Sequence, residues 1–206
     1  MKFPFFASFL IFCLWLSYEI HKHRNQEAKN RDAFWEKEAA ANNTRRKSLD
    51  HLDYIKIPFD ALPMDTLKED PVILQCHKTL QELSASPIVN LTGISNTDLK
   101  LTYGAPNIDL LSCYDQRYTL LARTLQDWAA ALAGKDFSLE AISVLEFAVS
   151  THTDVSASYK LLSSLYLKQG CHEKIRDLIP VAESLNSGMK KHILSILEEA
   201  LSQAAN

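Results

Sequence analysis

Shifted by 34 residues, the C-terminal third of this 206-residue chain falls into line with itself. Leu125, Tyr159 and Ile193 coincide, as do Trp128, Leu162 and Ile196, and the next positions, Ala129 and Ser163, are both small. Leu132 meets Tyr166, and further on Ala141 meets Ile175, Leu145 meets Ile179 and Ala148 meets Ala182. These positions keep the i, i+3, i+4, i+7 spacing of helical faces, and their small members let helices approach closely. A recurrence of this length predicts helix pairs stacked as a solenoid, because one pair cannot cover its own apolar stripe.

The unit Ser158–Leu185 carries the pattern best. Its stretch YKLLSSLYLKQGCHEKI holds an aromatic, a Leu, a small residue, a Tyr and then Gly170 between two helices. It resembles the tetratricopeptide repeat, a 34-residue helix-turn-helix. The unit before it, Ala122–Val155, is degenerate: Gly134 falls two residues early and Phe137 one. The second unit has Ile175 in place of the usual Ala, and Pro180 inside its second helix predicts a kink. Ser187–Gln203 reads as a capping helix, so the resemblance spans roughly 85 residues.

The resemblance implies a concave surface, lined by the first helix of each unit, that takes extended or helical peptides. By register that surface includes Arg123, Gln126, Lys160, Ser164, Lys168 and Lys191. Their charge suits a protein or peptide partner with an acidic segment. The Asn residues that chaperone-binding members use to clamp two carboxylates are missing from this face. As a whole the chain is also similar to membrane-anchored bacterial proteins with such repeats at their ends, which implies no activity.

Ahead of the repeats, residues 3–20 are largely apolar (FPFFASFLIFCLWLSYEI), and a helix over them rises roughly 27 Å, about enough to cross a bilayer core. The expected fold class is therefore all-α, an N-terminal transmembrane helix followed by a solenoid of antiparallel helix pairs. Lys22, Arg24, Lys29 and Arg31 outweigh Lys2, which predicts a single-pass protein of the cell membrane with its C-terminal domain in the cytoplasm. A cleaved signal peptide is the rival reading, opposed by the lack of a small-x-small pair after the apolar run.

The expected divisions are an anchor at 1–20, a juxtamembrane helical linker at 21–56, a helical and loop cap at 57–117, and repeats with a capping helix at 118–206. The linker helix should break near Asn42-Asn43-Thr44, and Arg45-Arg46-Lys47 reads as a solvated face. Pro71 opens a helix whose candidate buried positions are Val72, Leu74, Cys76, Leu80 and Leu83. A short helix should start at Ser95 or Asn96 and end before Gly104-Ala-Pro106, with Asn107 capping the next. Between them, Ile88, Leu91, Ile94, Leu99 and Leu101 should tuck the segment onto the first repeat, although a polar binding loop at Asn90–Tyr103 is the alternative.

Chemistry is scarce. A net charge of −3 supplies no reason to expect nucleic acid, and five Gly leave little room for phosphate-binding loops. Cys13, Cys76, Cys113 and Cys171 form no CxxC, which favours reduced thiols over a disulfide framework or zinc. The seven His include no HExxH pair, and GxSxG, P-loop and GxGxxG signatures are missing. No catalytic residue, metal ligand or cofactor is expected. The function this implies is an adaptor that recruits a protein partner to the cytoplasmic face of a membrane. With inverted topology it becomes a tethered assembly factor for envelope or secreted clients.

Overall fold

The computed structural model describes residues 4–204, with side chains of the first helix from Ser8 onward except those of Asn25 and Ala28. Its regular structure is helical throughout: α1 (Pro4–Asn42), α2 (Pro71–Ser84), α3 (Asn96–Tyr103), α4 (Ile108–Ala133), α5 (Ser138–Ser150), α6 (Ser156–Lys168), α7 (His172–Ser184) and α8 (Lys190–Ala204). Short 3-10 turns occupy Phe59–Ala61 and Ala105–Asn107, and Tyr54 and Val89 form an isolated antiparallel bridge.

The expected membrane anchor does not stand. Among the described residues no helix is long and apolar enough to cross a membrane. α1 is long, but its apolar part, residues 4–18, rises only about 22 Å against a hydrocarbon core of about 30 Å. Glu19, His21, Lys22, His23 and Arg24 follow at once, and charged side chains are costly in hydrocarbon. The transmembrane helix, the single-pass topology and the cell-membrane localisation fall together. Lys2 and Phe3, on which that reading leaned, lie outside the described residues.

The chain forms two compact units. The first takes the residues up to Lys47 together with Asn96–Ile108. Its helix α1 stops at Asn42, where Asn43 and Thr44 turn their side chains back to Ala39 O and Ala40 O at 3.0 Å. The end of α1 is tied to α3 by Lys37–Asp98 and Lys100–Glu38 pairs at 2.6 Å, and by Thr97 Oγ1 donating to Glu38 at 2.6 Å. Hydrogen bonds from Lys100 and Thr97 hold the Glu38 carboxyl below its usual range. Gly104 ends α3 at φ +94°, and a Cβ there would stand 2.2 Å from Arg45 O. Asn107 does not cap α4 with its side chain as expected. Its Nδ2 donates instead to Lys47 O (2.9 Å) and Tyr103 O (2.8 Å), which ties the segment after α1 to the end of α3.

The second unit takes Ser48–Ser95 and the chain from Asp109 on. One apolar cluster runs through it, from Ile73 and Leu80 of α2 to Ile193, Leu197 and Ala200 of α8. Asp70 caps α2 by accepting from Val72 N (3.0 Å) and Ile73 N (3.1 Å), with Pro71 in the first turn, where a missing N–H costs nothing. The face that α2 buries is Ile73, Cys76, His77, Leu80 and Leu83. Val72 and Leu74, expected inside, are exposed: the run Val72-Ile73-Leu74 offers three registers, and tertiary packing chose the middle one. Every position in the 34-residue comparison is buried except Ile179 and Ile196, which are half-buried. α6 packs against α5, α7 and α8, and α7 packs against α8. The arrangement is an all-helical packed domain compatible with a helical repeat.

Candidate functional site

Two concave regions of the second unit carry polar chemistry. The first is a groove of about 300 Å³ between α6 and α8. Helical spacing builds it: Lys160, Ser164 and Leu167 recur along one side of α6, and His192, Ile196, Glu199 and Gln203 along the facing side of α8. Small residues at its floor, Ser163 and Ala200, are both buried, so the helices approach closely and their longer neighbours form the rims. Lys160 on one wall and Glu199 on the other make the groove mixed in charge.

Of the residues that register placed on the concave surface, Lys160 and Ser164 line this groove. Arg123, Lys168 and Lys191 are exposed on α4, α6 and α8 but are not part of its lining. Gln126 is half-buried, and its Oε1 accepts the Ser158 hydroxyl at 2.7 Å, which ties α4 to α6. Its role is therefore at least partly one of packing.

The second region is a cleft of about 460 Å³ where the turns between helix pairs meet the earlier part of the unit. The end of α5 with the following turn supplies Ser150, Thr151, His152 and Asp154, and the end of α7 with its turn supplies Ser184, Asn186 and Ser187. Asp53 and Asn90 come from the segments that cross these turns. Asn90 holds the arrangement, since its Nδ2 donates to Thr151 O (3.0 Å) and His152 O (3.1 Å). Three residues on, Gly93 lies against the second turn, with its carbonyl accepting from Asn186 Nδ2 at 3.0 Å. With φ at +80° and a Cβ that would sit 1.7 Å from Asn186 O, only glycine fits.

The expected packing of this segment is partly realised. Ile88 and Leu91 are buried and Ile94 is exposed, whereas Leu99, buried, and Leu101, half-buried, belong to α3 of the first unit and not to the repeats. Sequence reasoning touched the cleft only through the alternative of a binding loop at Asn90–Tyr103, of which Asn90 and Thr92 line it; its turn residues carry no periodicity, yet the 34-residue register held a signal. Ser150 and Ser184 are equivalent in that register, as are His152 and Asn186.

Ser184 Oγ stands 3.4 Å from His152 Nδ1 but donates its hydrogen to Val181 O at 2.7 Å, so the two do not form a nucleophile–base pair. Elsewhere Tyr166 and Lys174 both donate to Glu146 at 2.7 Å. Burial pushes the Tyr166 hydroxyl well above its usual range, and Glu146 holds the Lys174 ammonium up. Burial likewise raises the Cys76 thiol to about 11, which keeps it protonated and unreactive. Among the described residues no group of three or more His, Cys, Asp or Glu is placed to hold a metal ion.

Comparison with protein-family models, with curated proteins and with solved structures returns no match.

Proposed function

We propose that this chain is a tetratricopeptide-like interaction module whose α6–α8 groove receives a peptide segment of a protein partner. The supporting observation is the groove itself, formed between register-equivalent helices 34 residues apart and including the expected Lys160 and Ser164. The pattern of neighbours agrees with this reading: α6 touches the helix before it, its own partner α7 and the first helix of the following unit. Leu167 and Ile196 offer apolar contact along the groove, while Lys160, His192, Glu199 and Gln203 offer charges and hydrogen bonds at its edges. An extended peptide would lay alternate side chains onto these groups, with an acidic residue opposite Lys160.

Peptides selected from a displayed random library on the full chain provide the test. Ser164→Trp fills the groove, so the selected peptides should bind it at least roughly tenfold more weakly with the melting temperature nearly unchanged. Lys160→Glu should weaken only those that carry an acidic residue. Equal binding to the Ser164→Trp variant, or a library that yields no peptide, overturns the reading.

A further inference from the structure

The cleft at the turns is distinct from the α6–α8 groove, and its hydrogen bonds are lopsided. Ser150 Oγ donates to Phe147 O and Ser184 Oγ to Val181 O, each at 2.7 Å, and Ser187 Oγ donates to Asp154 Oδ2 at 2.5 Å. Thr151 Oγ1 donates to Ala148 O at 2.7 Å. Both hydrogens of the Asn90 amide go to Thr151 O and His152 O. Hydroxyls that have given away their only hydrogen retain lone pairs and can only accept. To these acceptors the cleft adds the carboxylates of Asp53 and Asp154, and no Lys or Arg is among its described lining. The C-terminal ends of α5 and α7 both reach it, each contributing partial negative charge.

We propose that this cleft is a binding site for a guanidinium group, carried by an arginine side chain of a partner or by a small molecule. Ser187 Oγ already accepts from Met189 N at 3.2 Å and Ser184 Oγ faces His152 Nδ1 at 3.4 Å, but the remaining acceptors and the two carboxylates suit a ligand that is positive and rich in donors. A guanidinium presents five N–H donors in one plane, which suits acceptors spread over three segments better than the compact ammonium does. The space, about 460 Å³, far exceeds a bare cation, and Phe147 with Leu185 gives the planar group an apolar wall to lie against. Asn90 and Gly93 shape the site without touching its carboxylates or serine hydroxyls: Asn90 takes up the Thr151 and His152 carbonyls, and the Gly93 carbonyl accepts from Asn186.

The experiment is a titration of the isotope-labelled full chain with N-acetyl-arginine methylamide, followed at the backbone amides of Asn90, His152 and Asn186. The neutral N-acetyl-norleucine methylamide is the control. Saturable shifts in the millimolar range are expected with the arginine probe alone. Asp53→Asn combined with Asp154→Asn should weaken binding by roughly tenfold or more. Ser150→Arg, at an exposed position, should abolish it by placing the chain's own guanidinium at the mouth, which keeps the test decisive if the double variant fails to fold. Arms with agmatine and with the peptide Gly-Gly-Arg-Gly-Gly separate the sources. Tighter binding of the peptide assigns a partner's side chain, and tighter or equal binding of agmatine assigns a small molecule. No shifts, equal response to the norleucine control, or binding that survives both variants overturns the proposal.

Discussion

His77 shows how one residue can acquire a role that its surroundings in the chain do not announce. It lies buried in α2 with its ring edge-on to Trp128 of α4, the centroids 4.7 Å apart. Neither His77 Nε2 nor Trp128 Nε1 finds a hydrogen-bond partner among the described residues. Burial lowers the His77 pKa below its ordinary 6.5, so as pH falls the unfolded chain takes up the proton before the folded one does. The stability associated with neutral His77 is whole above about 6.5 and is lost as pH drops below it towards the folded value. Melting temperature should therefore decline through this window in the wild type, and His77→Phe should flatten the decline. An unchanged slope in His77→Phe would move the acid sensitivity to another group. Trp128 itself is fully buried at the centre of the cluster, and Trp128→Ala should cost about 3–5 kcal/mol in a denaturant titration.

At the scale of the element, the recurring apolar positions set which face of a helix turns inward. Ala148 near the end of α5 and Ala182 near the end of α7 are both completely buried. Each methyl group is enclosed by its neighbours on every side. Ala148→Leu or Ala182→Leu should overpack the stack and cost about 1–3 kcal/mol, read by chemical denaturation. Glu198→Ala, on an exposed position of α8, should stay within about 0.5 kcal/mol of wild type. Where repeats supply a pattern, the sequence reading of a helix was reliable: α5 to α8 all occur, and Pro180 lies within α7 as expected. In α2 the consecutive apolar residues Val72, Ile73 and Leu74 left the inward face undecided, and contact with Trp128 helped to decide it. For α1 the periodicity was silent, since its apolar residues surround the axis, and length was the wrong guide to what the helix does.

At the scale of the whole molecule, the second unit is closed by pairing residues far apart in the chain. The segment around Asn90–Gly93 crosses two turns that follow it by about 60 and 90 residues, and it is held by side-chain-to-backbone bonds. Gly93→Ala should force this segment off the turn at Asn186, raising amide exchange at Asn90–Gly93 and lowering the melting temperature. Gly188→Ala, where an added methyl meets open space, should do neither. Equal exchange in both variants would remove the close approach at Gly93 from the account. The sequence by itself determined the all-helical class, the boundaries of α3 and α6–α8 to within a few residues, and the buried stripe repeated every 34 residues. Those features rest on local periodicity, helix stop signals and the size of single side chains. Tertiary structure alone decided that Gln126 bonds to Ser158 within the packing, that Lys160 and Ser164 meet α8 in a groove, and that Asp53, Asn90 and His152 share a cleft. Such groupings depend on turns and long-range contacts, where each partner lies tens of residues away and leaves no pattern in its own neighbourhood.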